Sequence, residues 1–278
     1  MHSIIKNSLL FILIAVKVLF GQGNLENQFN KAQLLFQDKK YFDAITEFKR
    51  LQFFDYEGRY SFETNLKIGL CYKAGAKFDD AINYYSIALK CTSDPQKIFL
   101  VKIEIIKSNI LRKTITRALS LCDELEKEYD SYLIREEINY WRGWAFMFND
   151  DWKNASECFS KNGNMELTKL CRSVQNEKVS VTFAKVISYI LPGAGQIYSG
   201  QILSGLMSLA WNVFAGYLTI NAFVSERAFD GVVIGELLWY RFYRGNIQNA
   251  EKFAEEKNLE IANRALTYLQ TEFKGIKP

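Results

Sequence analysis

Few residues in this chain have the types and spacing that catalysis requires. The only histidine is His2, so the chain after it has no imidazole for a triad, for acid–base transfer or for a metal. Adjacent carboxylates occur at 79–80, 136–137 and 150–151, where solvated helix ends or faces are expected. No serine elbow or reactive-cysteine motif is present. The sequence therefore predicts a protein that is not an enzyme.

A glycine-rich segment at 192–200 (PGAGQIYSG) is the closest approach to a phosphate-binding loop. A P-loop also requires a lysine followed by serine or threonine, and this segment lacks that pair. The five cysteines form no CxxC pair and show no metal-ligand spacing. The formal net charge of +4 is too small to indicate a nucleic-acid partner. We therefore expect no cofactor, no metal and no nucleic acid.

A repeat in the first half of the chain indicates a binding surface instead. Four alanines recur every 37 residues (81 − 44, 118 − 81, 155 − 118). Twelve residues before them lie Ala32, Gly69, Ile106 and Gly143, and four residues after them lie Phe48, Tyr85, Cys122 and Phe159. Facing small residues let two helices approach closely, and an aromatic residue one turn later fills the groove between units. The pattern predicts pairs of antiparallel helices.

This spacing resembles the tetratricopeptide repeat, a helical hairpin of about 34 residues. The resemblance implies a solenoid over 24–178 that binds other molecules. The third copy departs most, with Ile106 and Cys122 at the small and aromatic positions. An irregular all-helical domain is the alternative. We interpret the cysteines as small buried residues, and a Cys122–Cys158 disulfide between corresponding helices of neighbouring units stays open.

Residues 1–22 have the pattern of an export signal. Lys6 lies in a short polar start, 9–16 is apolar, and 21–23 offers a cleavage region. The apolar run is too short to span a bilayer. We therefore predict export across the inner membrane. An uncleaved anchor and a retained cytoplasmic terminus are the alternatives.

The composition changes to apolar and sparsely charged after residue 180. Residues 202–224 carry no formal charge and are long enough to span about 30 Å of hydrocarbon as a helix. Residues 229–243 are predicted to pack beside them as a shorter or tilted return, with Glu236 facing protein. A turn at Gly245–Asn246 should then lead into a solvated tail helix. A buried helix of a soluble domain is the alternative for 202–224.

The segment 180–258 resembles a small bacterial membrane-associated domain that often follows tetratricopeptide repeats. That domain has the pattern P-G-x-G-Q-x-Y-x-G, then a hydrophobic Gly/Asn segment and G-N-x-x-x-A. Arg244 departs from it, because a glycine-containing approach to the G-N pair is commoner. Its name is sometimes linked to the membrane protein insertion efficiency factor, whose Cys-rich motif this chain lacks. The matching positions are Pro192, Gly193, Gly195, Gln196, Tyr198, Gly200, Gly205, Asn212, Gly245, Asn246, Ala250 and Asn258.

Together these patterns predict an all-α protein: a signal at 1–22, tetratricopeptide-like repeats at 24–178, a membrane-associated helical domain at 180–258 and a helical tail at 259–278. The expected function is a non-enzymatic scaffold of the bacterial cell envelope with periplasmic repeats. Its expected partners are membrane lipid and an unidentified envelope protein or peptide. A helper in membrane-protein or outer-membrane assembly is the alternative, and an envelope enzyme is the least favoured one.

The first helix of each repeat should line a concave, apolar face that suits a helix or an extended segment. Part of this set could instead pack against the C-terminal domain. The predicted partner-binding residues are Phe29, Phe36, Leu66, Leu70, Lys73, Ile103, Ile110, Tyr140, Trp144, Met147 and Phe148.

Overall fold

The computed structural model describes residues 25–278, so the predicted signal lies outside the described residues. Within this range every regular element is a helix and no strand is present, which confirms the prediction of an all-α protein. The chain divides into two compact units between residues 165 and 166. The predicted boundary was near 178, and the helix between these positions groups with the second unit.

The first unit contains eight helices among its described residues, and each packs against the next along the chain. Short connections join them in pairs, as the repeat predicts. The helices are α1 (25–37), α2 (Tyr41–Phe54), α3 (Ser61–Ala74), α4 (Phe78–Lys90), α5 (Pro95–Leu111), α6 (Ile115–Glu128), α7 (Tyr132–Phe148) and α8 (Trp152–Lys161).

Close packing within each hairpin follows the repeat columns. The four alanines lie at the fourth residue of α2, α4, α6 and α8, and all four are fully buried. A Cβ on Gly69 would overlap the ring of Tyr85, and one on Gly143 would lie 2.8 Å from Phe159. Each aromatic ring therefore occupies the space that the missing side chain leaves on the first helix of its own hairpin. Phe48 also belongs to a cluster with residues of the next hairpin, so the predicted contact between units is present as well.

In the third hairpin the large and the small residue of the repeat pattern exchange positions. Ile106 stands at the glycine position and Cys122 at the aromatic position, and both are fully buried. A large residue on the first helix and a small one on the second fill a comparable volume, and volume-conserving exchanges of this kind are well tolerated in cores. The departure from the repeat pattern is therefore a compensated substitution.

The turns inside the four hairpins share one backbone geometry. Lys39, Ala76, Lys113 and Asp150 all have positive φ, between 56° and 62°, and they are again 37 residues apart. At each turn the following residue donates its N–H to a carbonyl five residues back, as Lys77 does to Tyr72. This is the Schellman ending of a helix, for which glycine is the usual residue. Here four residues with side chains adopt it.

Ala76→Gly should stabilise the protein. The left-handed conformation costs an L-residue about 1–2 kcal/mol, whereas the greater freedom of glycine in the unfolded chain costs about 0.5–1 kcal/mol. A gain of about 0.5–1 kcal/mol follows, which thermal unfolding of the full chain can detect. The matched control is Ala74→Gly at an exposed position in α3, which should lose stability because glycine is a poor helix former. Equal effects of both changes would contradict this account of the turn.

The second unit (166–276) contains a helical hairpin with additional helices around it. The helices are α9 (Met165–Glu177), α10 (Val181–Ile190), α11 (Ala194–Tyr198), α12 (Ile202–Val224), α13 (Ala228–Ile234), a π-helical segment (Gly235–Tyr240) and α14 (Arg241–Thr271). The last three are continuous, so the chain is helical from 228 to 271. We call 228–240 the return segment. It packs antiparallel to α12, as predicted.

Small residues set the distance between α12 and the return segment. A Cβ on Gly231 would lie 2.8 Å from Phe223, and one on Gly235 would lie 3.3 Å from Thr219. One turn further, Gly216 lies against the indole of Trp239. Contacts of this type, where a missing or short side chain meets a larger one, are typical of close pairs of membrane helices.

Two details predicted for this segment are wrong. No turn occurs at Gly245–Asn246, because α14 passes through both residues and Asn246 uses its side chain to bind neighbouring helices. Glu236 is exposed rather than facing protein. It lies in the π-helical segment.

Candidate functional site

The structure places the predicted partner-binding residues at two levels of burial, and none of them is exposed. Ile103, Ile110, Trp144 and Met147 are at most 3% exposed, so they belong to the core and are not presented to a partner. Regular helical spacing cannot distinguish an inward-facing residue from one that lines a groove, and this explains the error. The other residues are half-buried, and for them the binding role stays a prediction: Phe29, Phe36, Leu66, Leu70, Lys73, Tyr140 and Phe148.

A chain of charged contacts crosses α3, α5 and α7 in the first unit. Glu104 accepts hydrogen bonds from Lys73 and Lys107, each at 2.7 Å. The Lys107 ammonium also lies 4.3 Å from the centroid of the Trp141 ring. All three charged side chains are less than a fifth exposed. The charge of Lys73, predicted to contact a partner, is therefore already paired.

Burial and charge act in opposite directions on Glu104. Burial alone would raise the pKa of its carboxyl. The ammonium groups of Lys73 and Lys107 lower this pKa by more than burial raises it, so the pKa in the folded protein lies below its usual value. Because the pKa in the folded protein is lower than in the unfolded chain, the contact stabilises the fold above the usual pKa of 4.5. That stabilisation is lost as the pH falls through the lower, folded-state value.

Glu104→Gln should lower the free energy of unfolding at neutral pH by about 1–3 kcal/mol, because it leaves two largely buried ammonium groups without a carboxylate. The difference from the wild type should shrink in acid, once the wild-type carboxyl is protonated as well. Denaturant unfolding at about pH 7 and about pH 3 measures both effects. Glu63→Gln is the control: it breaks an exposed ion pair with Lys97, and at most about 1 kcal/mol should be lost. A difference that did not depend on pH would contradict the assignment.

The cysteines divide into four buried thiols and one exposed thiol. All five are free, and Cys122 and Cys158 do not form the disulfide that the sequence left open. Burial raises the pKa of Cys71, Cys122 and Cys171 to about 12. These thiols are therefore protonated and poor nucleophiles at neutral pH. Cys91 is the only exposed cysteine in the described part of the chain.

An exposed aromatic patch at the α2–α3 connection was not anticipated. Phe53, Phe54 and Tyr56 are 70%, 53% and 87% exposed, and the first two rings are in contact, with centroids 5.2 Å apart. Neighbouring exposed aromatic side chains mark surfaces that bind other proteins. The signal in the sequence was the run of aromatics at the end of a predicted helix, where no core position was expected. We call these three residues the aromatic patch.

The motif residues of the second unit come together around Asn246. Its side-chain oxygen accepts hydrogen bonds from the Gly193 N–H (2.6 Å) and the Ser208 hydroxyl (3.1 Å). Its amide nitrogen donates to the Ser188 carbonyl at 2.9 Å. One buried side chain on α14 thus holds the end of α10, the 192–200 segment and α12.

Three motif glycines are required, two because backbones meet without room for a side chain and one because of its positive φ. Gly193 has a φ of 90°, and a Cβ there would overlap the Gly205 carbonyl. A Cβ on Gly195 would overlap the Ala184 carbonyl on α10. Gly200 has positive φ, while Gly245 has open space and ordinary helical geometry. The structure gives no steric reason for glycine at 245.

Two further motif residues hold the start of α10. The Asn258 amide accepts from the Val179 N–H (2.8 Å) and donates to the Val179 carbonyl (2.9 Å). The Tyr198 hydroxyl accepts from the Ser180 N–H at 3.2 Å. Ala250 is fully buried on α14, and Pro192 lies in the connection between α10 and α11. These positions account for the motif as a set of contacts between helices.

A cavity of about 340 Å³ lies beside these contacts, among α11, α12 and α14. Its walls combine polar side chains with the apolar surfaces of Met207, Trp211 and Phe242, and four motif residues contribute to them. The lining residues are Gln196, Ser204, Met207, Ser208, Trp211, Asn212, Arg241, Phe242, Gly245, Asn246 and Asn249. Residues 25–278, the cavity included, contain no group of three or more His, Cys, Asp or Glu side chains that could hold a metal ion. The cavity is the chemically distinctive feature of the second unit.

Comparison with known proteins adds no identification: the chain matches no family model, no curated protein and no solved structure.

Asn246→Ala should destabilise the protein by more than the loss of one hydrogen bond. It removes three contacts and leaves the buried Gly193 N–H without an acceptor, and one such unsatisfied group costs about 1–3 kcal/mol. Thermal unfolding of the full chain in detergent measures the loss. Asn221→Ala on the exposed side of α12 is the control, because the exposed position should tolerate the change. Equal melting temperatures for the two variants would contradict the central role of Asn246.

Proposed function

We propose that the protein is a non-enzymatic scaffold of a bacterial cell envelope. Its helical repeats bind a partner protein or peptide, and its C-terminal domain holds it at a membrane. The observation that carries this proposal is the exposed apolar surface of the second unit, because such surfaces mark sites that bind membranes or other proteins. The repeats supply the binding part, in keeping with their resemblance to tetratricopeptide units.

The apolar surface of α12 supports the membrane part. This helix is long and apolar enough to cross a bilayer, and only 28% of its most apolar stretch is buried. A core helix of a soluble protein would be mostly covered. Large apolar side chains at least 40% exposed continue from α12 along the return segment, and exposed apolar surface of this kind is typical of a membrane or protein contact. They include Leu203, Val213, Tyr217, Val224, Phe229, Leu237 and Tyr240.

The proposed binding surface of the first unit must consist of residues that are at least partly exposed. The aromatic patch and the half-buried residues Leu66 and Leu70 are the two candidate faces. The buried, protonated thiols and the scarcity of catalytic groups disfavour the enzyme alternative. A partner protein or peptide is therefore the proposed ligand of the repeats.

A role as a helper in membrane-protein assembly is the second candidate, and Glu236 favours it. This carboxylate is exposed in the middle of the return segment, among apolar neighbours. A carboxylate at membrane depth requires a partner. A client helix that offers a basic or hydrogen-bonding group would supply one.

Two features of the sequence disagree about which side of the membrane carries the repeats. The signal pattern at 1–22 favours periplasmic repeats. However, Arg227 is the only basic residue in the connection between α12 and the return segment, whereas Arg241, Arg244 and Lys252 lie towards the other end. Basic residues favour the cytoplasmic side. We propose the periplasmic arrangement, and labelling of a native cysteine decides between the two.

Carbonate washing of membranes should leave the full-length protein in the pellet. In intact cells with a permeabilised outer membrane, a membrane-impermeant maleimide should label Cys91, the exposed thiol of the repeats. Cys91→Ser is the control, because the remaining thiols are buried. Release by carbonate would contradict the membrane tether. Labelling only after the inner membrane is broken would place the repeats in the cytoplasm.

Photo-crosslinking in intact cells should identify both the partner and the face. A benzoylphenylalanine at position 56 tests the aromatic patch, and one at position 70 tests the predicted groove. A third at exposed Tyr132, on another helix, is the control for non-specific contact. One discrete adduct from position 56 or 70, absent from 132, is expected. Identical weak adducts from all three positions would argue against a specific partner.

A further inference from the structure

The cavity among α11, α12 and α14 contains polar atoms that the fold itself does not use. Gln196 is completely buried, and neither its amide oxygen nor its amide nitrogen has a hydrogen-bond partner. The side-chain oxygen of Asn212, which is 4% exposed, also has none. Both residues line the cavity. Buried amides without partners are rare in native proteins and require an explanation.

The open side of the cavity combines one positive charge with an apolar rim. Arg241 is exposed, and it is the only charged residue among those that line the cavity. No carboxylate in residues 25–278 lies within 4 Å of its guanidinium group. Beside it the rings of Trp211 and Phe242 stack with centroids 5.3 Å apart, and Met207 is half exposed. An anionic group with attached hydrocarbon would satisfy both parts of this rim.

The position along α12 places the cavity in one leaflet. Its lining residues on this helix run from 204 to 212. At 1.5 Å per residue they lie about 3 to 15 Å from the start of the helix, which is the first half of a bilayer about 30 Å thick. An unpaired arginine at this depth is costly unless it reaches phosphate or water, and bilayers respond by thinning locally around it. The phosphate of a lipid is the nearest abundant anion.

We propose that this cavity binds the headgroup of one anionic phospholipid, drawn below the normal headgroup level. Arg241 pairs with the phosphate, and its planar guanidinium can bind two phosphate oxygens. The amides of Gln196 and Asn212 hydrogen-bond the polar part of the headgroup, and the acyl chains leave over Met207 and the Trp211–Phe242 pair. This inference rests on the proposed membrane location.

The site accounts for both unusual features together. Gln196 can donate and accept, and Asn212 can accept, so a headgroup with hydroxyl and phosphate groups matches the free atoms of the floor. A volume of about 340 Å³ is roughly ten times the share of one water in the liquid. The bound lipid would join α11, α12 and α14 at the surface where the domain meets its membrane.

Native mass spectrometry of the delipidated full chain in neutral detergent provides the test. Phosphatidylglycerol and phosphatidylcholine with the same acyl chains are added separately. One phosphatidylglycerol should be retained, with about ten-fold preference over phosphatidylcholine, because the choline cation offsets the phosphate charge beside Arg241 and offers no hydroxyl to the amides. Arg241→Gln should abolish the preference. Arg244→Gln is the matched control, since Arg244 lies three residues further on, outside the cavity and against the Tyr240 ring.

Gln196→Met tests the floor of the cavity without removing the charge. It should weaken retention of both lipids while the melting temperature of the lipid-free protein is maintained. Unchanged retention would show that the amides hold water and would overturn their role. Equal retention of both lipids by the wild type, or a preserved preference in Arg241→Gln, would overturn the site.

Two controls separate the source of the ligand and the underlying function. Displacement of phosphatidylglycerol by an equal concentration of glycerol 3-phosphate would show that the site takes a free phosphate compound, and would overturn the lipid assignment. Carbonate extraction is measured on the same variants. Wild-type protein that resists carbonate but shows no lipid preference refutes the cavity proposal alone. Release by carbonate refutes the membrane proposal itself.

Discussion

The close approach of helices at positions without bulky side chains is the constraint on which both units depend. In the first unit, Gly69 and Gly143 admit aromatic rings from the facing helix. In the second, Gly193 and Gly195 bring backbones into direct contact, and Gly231 and Gly235 set the spacing of the apolar hairpin. Protein interiors are packed so densely that an added methyl group at these positions would have no room. The two units differ in composition, but helix packing in both depends on the same steric requirement.

This constraint explains why the sequence predicted the architecture of the repeats. Small and aromatic residues at fixed spacing report helix contacts directly, so the four alanine positions were correctly identified as buried. The compensated third hairpin also follows, because the pair Ile106–Cys122 keeps the volume of the pair that it replaces. The hairpin of α12 and the return segment was predictable from length and hydropathy alone.

The features that the sequence did not predict depend on the direction in which a helix face points, or on contacts between residues far apart in the sequence. Spacing placed Trp144 and Met147 on a repeated face, but burial shows that this part of the face points inward. A turn was expected at Gly245–Asn246, but the chain stays helical there and the Asn246 side chain forms hydrogen bonds to α10, α12 and the 192–200 segment. The aromatic patch was missed because the repeat columns describe packing positions that recur every 37 residues, whereas these residues lie between the columns. Such contacts require three-dimensional information.

The second unit uses polar groups in two different ways, and the contrast supports a function for the cavity. Asn246 and Asn258 satisfy backbone groups and hold helices together, as buried polar side chains usually do. Gln196 and Asn212 line the same cavity as Asn246, are also buried, and keep unused hydrogen-bonding atoms. Apolar residues of similar volume at these two positions would avoid the desolvation cost of an unpaired amide. Retaining amides beside an unpaired arginine makes physical sense if a ligand supplies the missing partners. These unused atoms are the reason for proposing a ligand in the cavity.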